Sequence, residues 1–328
     1  MKAAIIGLGA IAPVHAQAIR RAGGHIVAVC DIDKDQAARF RERAACDAPL
    51  FPDYRALLSS TDADVVHICT PHYLHAEMIL AALQSGRHVL CEKPLCIREQ
   101  DIPRILHAEK ESEKKLGVCL QNRYAASNLA ARALAGDSPR AAFGSVVWER
   151  GVAYYRSGPW RGRWETEGGG VMINQALHTL DLLLWIMGMP DTVIASTENR
   201  HLNGEIEVED TASALFRFRD GRSFNFFATT AGGADMPVQI TVCGNGHTIT
   251  ATPDTLTCDG NVQHTAAGKP IGKTVWGDGH ADLVADFYDA IRSARPFAID
   301  GAEAAKVVRA ILAMYRSAGR EVPLSEGG

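Results

Sequence analysis

The sequence lacks the features that mark membrane and nucleic-acid-binding proteins. No apolar run reaches the ~20 residues that a membrane-spanning helix needs, since even LDLLLWIMGM is short and contains an aspartate. No block of lysine and arginine is present, and the formal net charge of −4 gives no electrostatic basis for binding nucleic acid. Repeats, low-complexity segments and long linkers are also missing. These absences favour a small-molecule partner over a membrane or a nucleic acid.

Cysteine is present but not in the patterns that bind metals or form disulfide frameworks. The eight cysteines are scattered and none forms a CxxC pair. Several end predicted buried strands, as in VAVC, VVHIC and HVLC, where cysteine acts as a small apolar residue. We therefore expect no metal site and a reducing, cytoplasmic location. The opening MKAAIIGLGAIAPVHA has the lysine and apolar run of a secretory signal, but a buried strand entering a glycine turn explains it better.

The first part of the chain alternates short apolar strands with helical patterns. With 328 residues the chain is too long for one ordinary core, which predicts two domains. Near-continuous apolar strands separated by helices indicate a doubly wound parallel sheet, the Rossmann arrangement, over residues 1–122. The predicted strands are AAIIG, HIVAVCD (25–31), DVVHICT (64–70), HVLCEKP (88–94) and LGVCLQN (116–122), and the helical patterns lie around 13–22, 34–45, 53–59, 75–85 and 98–114.

The second part, residues 123–328, has the two-residue alternation of half-exposed strands. FGSVVWERGVAYY, ASALFRFRDGRSFNFFATT and PVQITVCGNGHTITATPD show it, with Asp220-Gly221 and Asn245-Gly246 as hairpin signals. This predicts an α+β domain with a large, mainly antiparallel open sheet, used for substrate binding and oligomerisation. Helices are predicted over 280–294 and 302–318, and the last is a candidate to pack back on the first domain. The carboxylates Glu205, Glu207, Glu209 and Asp210 are interpreted as the solvated face of a strand.

A glycine loop follows the first strand. Gly7-Leu8-Gly9-Ala10-Ile11-Ala12 is a G-x-G-x-x-A variant of the dinucleotide turn, set between a strand and a helix. The second strand ends in Asp31, whose carboxylate can accept hydrogen bonds from a ribose 2′-OH but repels a 2′-phosphate. The pattern predicts a dinucleotide site that prefers NAD to NADP.

The segment GGGVMINQALHTLD places polar residues on an otherwise apolar helix. Asn174, His178 and Asp181 fall at i, i+4 and i+7, so they share one face of the predicted helix. Because the leucines around them leave little of this helix for water, the polar stripe is expected to line a cavity.

Taken in order along the chain, these motifs are typical of one family. The glycine loop, ICTPHYLH, HVLCEKPL, QNRY, GGGVMINQALHTLD and WGDGHADLVADFYDAI resemble the glucose-fructose oxidoreductase/inositol dehydrogenase/MocA family over essentially the whole length. The resemblance implies an NAD(P)-binding Rossmann domain followed by an antiparallel α/β domain whose open sheet commonly forms dimers or tetramers. It also implies hydride transfer between nicotinamide and a secondary alcohol carbon of a sugar, cyclitol or related polyol.

The resemblance assigns roles residue by residue. Lys93 matches the lysine between nicotinamide and substrate, before a Lys93–Pro94 bond that is often cis in relatives, and His178 matches the catalytic histidine. Many relatives carry aspartate where this chain has Asn174, so we expect His178 as acid/base, Lys93 as electrophile and Asn174 as orienter. The expected cofactor-binding residues are Gly7, Gly9, Ala10, Ile11, Ala12, Asp31, Thr70, Pro71, His75, Glu92, Lys93 and Gln121.

Substrate-binding residues are expected in several segments. These are Arg123, Tyr154, Trp160, Arg161, Asn174, His178 and His280. Aromatic rings beside guanidinium groups suit a sugar ring or an anionic substituent, but a solvated surface loop or a subunit contact explains Tyr154, Trp160 and Arg161 equally well. His280 either reaches the substrate or merely begins a helix.

The expectation is thus an NAD-dependent oxidoreductase acting on a sugar-like polyol, assembled as a homodimer or homotetramer. Two alternatives stay open. One is a glycosidase that uses NAD for transient oxidation, and the other is a non-catalytic dinucleotide- and sugar-sensing regulator, for which Asn174 gives some motive. The substrate itself is not predicted, because function resides in the pocket side chains.

Overall fold

The computed structural model describes residues 1–265 and 279–324. The chain forms two compact units, and each contains a piece from near the carboxyl end of the sequence. Unit 1 is Met1–Tyr124 with Lys269–Ala305, and unit 2 is Ala125–Gly268 with Lys306–Gly328. The sequence-derived boundary between residues 122 and 123 stays a prediction. Trp276, Gly277 and Asp278 of the WGDGHADLVADFYDAI motif lie outside the described residues.

Unit 1 is built on a parallel sheet, as its apolar strands predicted. Within the described residues its six strands follow the order β3-β2-β1-β4-β5-β6, and every neighbouring pair is parallel. The order reverses between β1 and β4, which is the doubly wound topology. The strands are β1 (Lys2–Ile6), β2 (His25–Cys30), β3 (Leu50–Phe51), β4 (Val65–Ile68), β5 (His88–Cys91) and β6 (Leu116–Val118).

The helices of unit 1 begin where the sequence offers capping groups or a turn. Asp33 accepts from the N–H groups of Asp35 and Gln36 at the start of the second helix, and Asp53 accepts from Ala56 N–H at the start of the third. The helices are α1 (Ala12–Arg21), α2 (Lys34–Ala44), α3 (Tyr54–Ser60), α4 (His75–Gln84), α5 (Asp101–Ser112) and, after the second unit's main segment, α9 (His280–Arg292).

Unit 2 is built on a mainly antiparallel sheet. Among the described residues it has nine strands in the order β14-β13-β12-β11-β7-β10-β9-β8-β15, with β7 and β10 as the parallel pair. Asn245 and Gly246 both take positive φ at the β11–β12 hairpin, as the Asn-Gly signal predicted. The strands are β7 (Ala141–Val147), β8 (Thr192–Glu198), β9 (Thr211–Arg217), β10 (Ser223–Thr229), β11 (Gln239–Gly244), β12 (His247–Ala251), β13 (Thr255–Cys258), β14 (Asn261–Thr265) and β15 (Val322–Pro323).

Helices accompany the unit 2 sheet. They are α6 (Ala126–Ala135), α7 (Val152–Tyr155), α8 (Leu177–Met187) and α10 (Gly301–Ser317), whose first residues belong to unit 1. A Cβ at Gly144 of β7 would stand 2.8 Å from Leu183 Cδ1, so this glycine lets α8 pack closely on the sheet. The single strand predicted from Phe143 to Tyr155 is wrong beyond Val147, because Val152–Tyr155 turns into a short helix.

Candidate active site

The glycine loop joins β1 to α1 in the form that a dinucleotide requires. Gly7 has φ +85°, and a Cβ there would lie 2.7 Å from the Cys69 carbonyl carbon, so only glycine fits. At Gly9, by contrast, a Cβ would meet nothing within 4 Å, which leaves the backbone open to an incoming group. α1 begins at Ala12, so the loop ends at a helix N-terminus. An open backbone at a helix N-terminus suits a pyrophosphate.

Asp31 is fixed beside this loop. Its Oδ2 accepts from Leu8 N–H at 2.7 Å and its Oδ1 accepts from Asp33 N–H at 2.9 Å. Each carboxylate oxygen keeps a further lone pair for a ribose hydroxyl. The nearby Arg39 guanidinium donates to Gln36 at 2.9 Å and lies 3.9 Å from Asp33. An anionic carboxylate held at this position fits NAD better than a cofactor with a 2′-phosphate.

Two loops at the carboxyl ends of β4 and β5 are joined by His75. Its Nδ1 lies 2.6 Å from the Pro94 carbonyl oxygen and its Nε2 lies 2.9 Å from the Thr70 carbonyl oxygen. Burial lowers the pKa of His75, while the hydrogen bonds to the two carbonyl oxygens act in the opposite direction. The Lys93–Pro94 peptide bond is cis, and Lys93 itself is partly exposed. His75 thus supports the segment that carries Lys93.

A series of buried, hydrogen-bonded side chains, which the sequence analysis did not predict, ends at Glu92. His15 Nε2 lies 2.9 Å from Glu92 Oε1, His15 Nδ1 lies 2.8 Å from His67 Nδ1, and His67 Nε2 lies 2.8 Å from the Tyr288 hydroxyl. Burial alone raises the pKa of Glu92, but the His15 hydrogen bond and neighbouring positive charges outweigh it and lower that pKa. Glu92 Oε2 also accepts from Lys93 N–H at 3.3 Å. The sequence feature that could have indicated these buried hydrogen bonds is His67, a histidine inside the apolar strand VVHI.

Three further predicted residues of unit 1, Gln121, Arg123 and His280, are buried. Gln121 and Arg123 lie in the 3-10 turn Gln121–Tyr124 and are 4% and 5% exposed, and Arg123 pairs with Glu303 at 2.9 Å. His280 begins α9, with Nε2 3.8 Å from Glu92 Oε1, and burial lowers its pKa to about 4. Substrate binding by Arg123 and His280 stays a prediction.

Two groups of side chains have the spacing of metal ligands within the described residues. His15, Glu92 and Cys119 are buried and offer ligand atoms within 4.8 Å of one another, as do the more exposed His247, Cys258 and Asp259. In both groups a histidine is already hydrogen-bonded to the carboxylate, at 2.9 Å for His15 and 2.8 Å for His247. The histidine and the carboxylate of each group are therefore hydrogen-bonded to each other.

In unit 2, the triple glycine forms a turn that only glycine can make. Gly169 has φ +149°, and a Cβ there would lie 2.0 Å from the Tyr315 hydroxyl oxygen. A Cβ at Gly170 would lie 1.9 Å from the Glu209 carbonyl oxygen. The packing of Tyr315 and Glu209 is by itself a sufficient reason for these glycines.

The helix after the glycines begins later than predicted. α8 starts at Leu177, so Asn174 lies in the preceding turn, where its N–H donates to the Gly170 carbonyl at 3.2 Å. His178 is in the first turn of α8 and partly exposed, whereas Asp181 is 1% exposed. The prediction that Asn174, His178 and Asp181 share one face of a helix is therefore wrong for Asn174, which precedes α8.

Glu209 holds this turn in place, which corrects the interpretation of the acidic run. Glu205 and Glu207 are exposed, but Glu209 and Asp210 are 3% and 1% exposed and precede β9. The Glu209 carboxylate accepts from Gly170 N–H at 2.9 Å, from Met172 N–H at 3.0 Å and from the Tyr315 hydroxyl at 2.9 Å. Burial raises the pKa of Glu209 to about 7. The interpretation of the acidic run as the solvated face of a strand is thus wrong for Glu209 and Asp210.

The aromatic and arginine side chains before the glycines form one cluster. The Arg161 guanidinium lies 4.5 Å from the Tyr154 ring centre and 4.4 Å from that of Trp160. Arg161 also donates to the Tyr154 hydroxyl at 2.6 Å and lies 3.8 Å from the Glu167 carboxylate. Asn174 Nδ2 donates to Glu167 Oε1 at 2.5 Å and to the Tyr154 hydroxyl at 3.2 Å. The cluster unites the predicted Tyr154, Trp160, Arg161 and Asn174 with Glu167, which was not predicted.

Comparisons with known proteins find the same two-part organisation. A family model described as an oxidoreductase family with an NAD-binding Rossmann fold matches residues 1–120, and the GFO/IDH/MocA C-terminal domain matches residues 139–250. D-glucoside 3-dehydrogenase of Escherichia coli is 31% identical over 196 residues, 58% of this chain and 55% of that enzyme. Inositol 2-dehydrogenase of Salmonella paratyphi B is 34% identical over 118 residues, 35% of each protein. This chain thus spans about half or less of those relatives.

Solved structures match over nearly the whole chain. The WlbA dehydrogenase of Bordetella pertussis, in complex with NADH and UDP-GlcNAcA, is 28% identical with a TM-score of 0.86 and 99% coverage of both chains. Levoglucosan dehydrogenase, in complex with NADH and levoglucosan, has a TM-score of 0.87 at 20% identity, which shows the shared fold alone. With both of its domain models matched in order, the chain belongs to the GFO/IDH/MocA family of oxidoreductases, and its first unit is an NAD-binding Rossmann domain.

Proposed function

We propose that the protein is an NAD-dependent dehydrogenase or reductase acting on a secondary alcohol or ketone carbon of a sugar, cyclitol or related polyol. The observation that carries this is the glycine loop, where the open backbone at Gly9 and the fixed Asp31 carboxylate suit NAD. The proposed cofactor-binding set is that of the sequence prediction, including Ala10, Ile11, Ala12, Thr70, Pro71, His75, Glu92 and Gln121. Relatives named as glucoside and inositol dehydrogenases support this substrate class.

The proposed chemistry divides between two side chains. Bound NAD supplies the hydride acceptor. His178, partly exposed in the first turn of α8, takes the hydroxyl proton, since imidazole is the side chain that most often serves as a general base. Lys93 polarises the same oxygen with its ammonium group, and Asn174 orients the reacting groups. His178 and Lys93 are the proposed catalytic residues.

The proposed substrate contacts include the cluster of Tyr154, Trp160 and Arg161. Aromatic rings beside a guanidinium suit a sugar ring that carries an anionic substituent. The complex of the WlbA relative with UDP-GlcNAcA supports including acidic and nucleotide-linked sugars among the candidates.

Assembly and location are part of the same proposal. Among the described residues no helix is long and apolar enough to span a bilayer. Eight cysteines without a disulfide support a reducing, cytoplasmic setting. A homodimer or homotetramer formed through the open sheet of unit 2 is part of the proposal, as the resemblance to the family implies.

The test is His178→Ala assayed over aldoses, cyclitols, uronates and nucleotide sugars. We expect kcat/KM for NADH formation to fall by about 10²–10⁴-fold, because the hydroxyl proton loses its acceptor. The Kd for NADH, measured by fluorescence, should stay within about twofold. His201→Ala, which changes an exposed histidine of the same unit, is the matched control and should retain full activity.

Two results would replace this proposal with its alternatives. Release of free sugar from glycosides without net NADH would indicate a glycosidase that oxidises its substrate transiently. Binding of NADH and sugar without turnover of any substrate would indicate a regulator.

A further inference from the structure

Glu167 is a fully buried carboxylate with unusually close partners. It is 0% exposed, its Oε2 accepts from Gly162 N–H at 2.5 Å and its Oε1 accepts from Asn174 Nδ2 at 2.5 Å. Arg161 Nη1, 3.8 Å from Oε1, supplies the compensating positive charge. A buried carboxylate is therefore in direct contact with Asn174, the proposed orienter.

These contacts fix which way the Asn174 amide faces. An amide oxygen cannot lie 2.5 Å from a carboxylate oxygen without a hydrogen between them, so the NH₂ group must face Glu167. The second hydrogen of that NH₂ group is directed to the Tyr154 hydroxyl at 3.2 Å. Asn174 can therefore engage any further group only through Oδ1, as an acceptor.

The hydroxyl of Tyr154 completes the arrangement. Burial raises the pKa of Tyr154, so its hydroxyl keeps a hydrogen to donate at neutral pH. Three nitrogen atoms surround this oxygen: Arg161 Nη1 at 2.6 Å, Asn174 Nδ2 at 3.2 Å and Gln175 Nε2 at 3.1 Å. Gln175 Oε1 is buried without a hydrogen-bond partner, and turning the Gln175 amide places it as the acceptor for the Tyr154 hydrogen. Tyr154 then accepts from Arg161 and Asn174 and donates to Gln175.

The same distances explain why aspartate does not suit position 174 here. An aspartate would place two carboxylates about as close as the 2.5 Å contact that Asn174 makes, and like charges at that distance cannot both ionise. The pair of Glu167 and Asn174 keeps one negative charge at this place.

On the basis of the proposed function, we propose that Glu167 is the positioning residue of the catalytic turn. It holds the Asn174 amide in one orientation, with its NH₂ group on Glu167, and it places a buried negative charge beside the catalytic turn.

The test is a double-mutant cycle of Glu167→Gln and Asn174→Asp. In the double variant, the new amide oxygen at position 167 accepts from Gly162 N–H, while the new NH₂ group donates to the carboxylate introduced at position 174. Asn174→Asp alone sets two carboxylates face to face. Glu167→Gln alone sets two NH₂ groups face to face unless the Asn174 amide turns, and turning it exchanges the donor and acceptor that Asn174 presents. Glu165→Gln, an exposed neighbour in the same segment, is the matched control.

We expect each single variant to lose about tenfold or more in kcat/KM and to unfold at lower urea concentration, with NADH affinity unchanged. Asn174→Asp should recover part of its activity toward low pH, where one carboxylate is protonated. The double variant should return to within about fivefold of the wild-type kcat/KM, and Glu165→Gln should match the wild type.

Two results would overturn the proposal. Additive effects on the urea midpoint would show that Glu167 and Asn174 do not act as a pair, whatever the turnover. Coupling in the urea midpoint, with kcat/KM equal in all variants, would show that the pair is merely structural. A wild-type protein without turnover would instead contradict the proposed function. The double-mutant cycle measured by urea denaturation would then test only whether Glu167 and Asn174 interact as a pair.

Discussion

At the scale of single residues, the sequence indicates the types of residue in the candidate site better than it indicates their environments. The glycine loop, Asp31 and the glycine triplet were recognisable because their residue types are tied to backbone geometry. Glu167 and Glu209 were missed because a carboxylate carries no local sign that it will be buried. Their partners, Asn174 for the first and Tyr315 for the second, lie 7 and 106 positions away in the sequence.

Glu209 gives the protein a pH-dependent stability. Burial raises its pKa to about 7 in the folded state, from an ordinary value of 4.5, so the folded protein binds the proton more tightly than the unfolded chain. The stability that this group contributes is fully present at low pH and is lost as pH rises from about 4.5 to 7. The loss approaches about 3 kcal/mol above pH ~8.

Glu209→Gln should remove this dependence. We expect the difference in free energy of unfolding between variant and wild type to change by about 2–3 kcal/mol in favour of the variant between about pH 5 and pH 8, measured by urea denaturation. Glu205→Gln, at an exposed position in the same run, should follow the wild type at every pH. A parallel pH course for the Glu209 variant and the wild type would contradict the burial argument.

At the scale of elements, the position of α9 in unit 1 was beyond the reach of sequence periodicity. The apolar pattern predicted a helix over 280–294, and the structure has it at His280–Arg292. Periodicity does not say which core a helix joins. Its partners are set by Tyr288, which reaches His67 of β4, and by Phe287, which packs where Gly117 leaves room.

Tyr288→Phe tests that attachment. The change leaves a buried nitrogen of His67 without the Tyr288 hydroxyl, whichever of the two groups donates. We therefore expect the free energy of unfolding to fall by about 1–3 kcal/mol. The urea midpoint at neutral pH measures it. Tyr73→Phe removes the same atom from a side chain that is 44% exposed and should lie within about 0.5 kcal/mol of wild type. Equal midpoints for the two variants would show that His67 does not depend on Tyr288.

At the scale of the whole molecule, the two fold classes were predictable because their strand periods differ. Continuous apolar strands predicted the parallel sheet, and alternating strands predicted the mainly antiparallel one, and both are present. That unit 1 also includes Lys269–Ala305 was not predicted, since the late helix expected to pack back on the first domain was 302–318. The pattern of apolar residues along the sequence does not indicate which unit a segment near the carboxyl end packs in.

A fragment of residues 1–124 should therefore fail to fold on its own. It lacks the fully buried side chains Leu283, Val284, Phe287 and Tyr288, each worth roughly 1.5–3 kcal/mol when buried. That sum is comparable with the roughly 5–15 kcal/mol by which a typical protein is stable. Circular dichroism and thermal unfolding measure the outcome, and we expect no cooperative transition.

The control is the same fragment with residues 279–305 joined by a short glycine-serine linker. Gly279 lies against Gln121, since a Cβ there would stand 2.1 Å from the Gln121 carbonyl oxygen, so a short linker spans the gap. This version should unfold cooperatively. A cooperative transition in the fragment without the added segment would disprove the dependence.

The divided make-up of unit 1 also governs when it can form during synthesis. A ribosome adds about 5–20 residues per second, so the first 124 residues emerge several seconds before the segment that completes their core. Unit 2's principal stretch is translated in that interval. The nascent nucleotide-binding half must stay incomplete, and shielded from aggregation, until translation is almost finished.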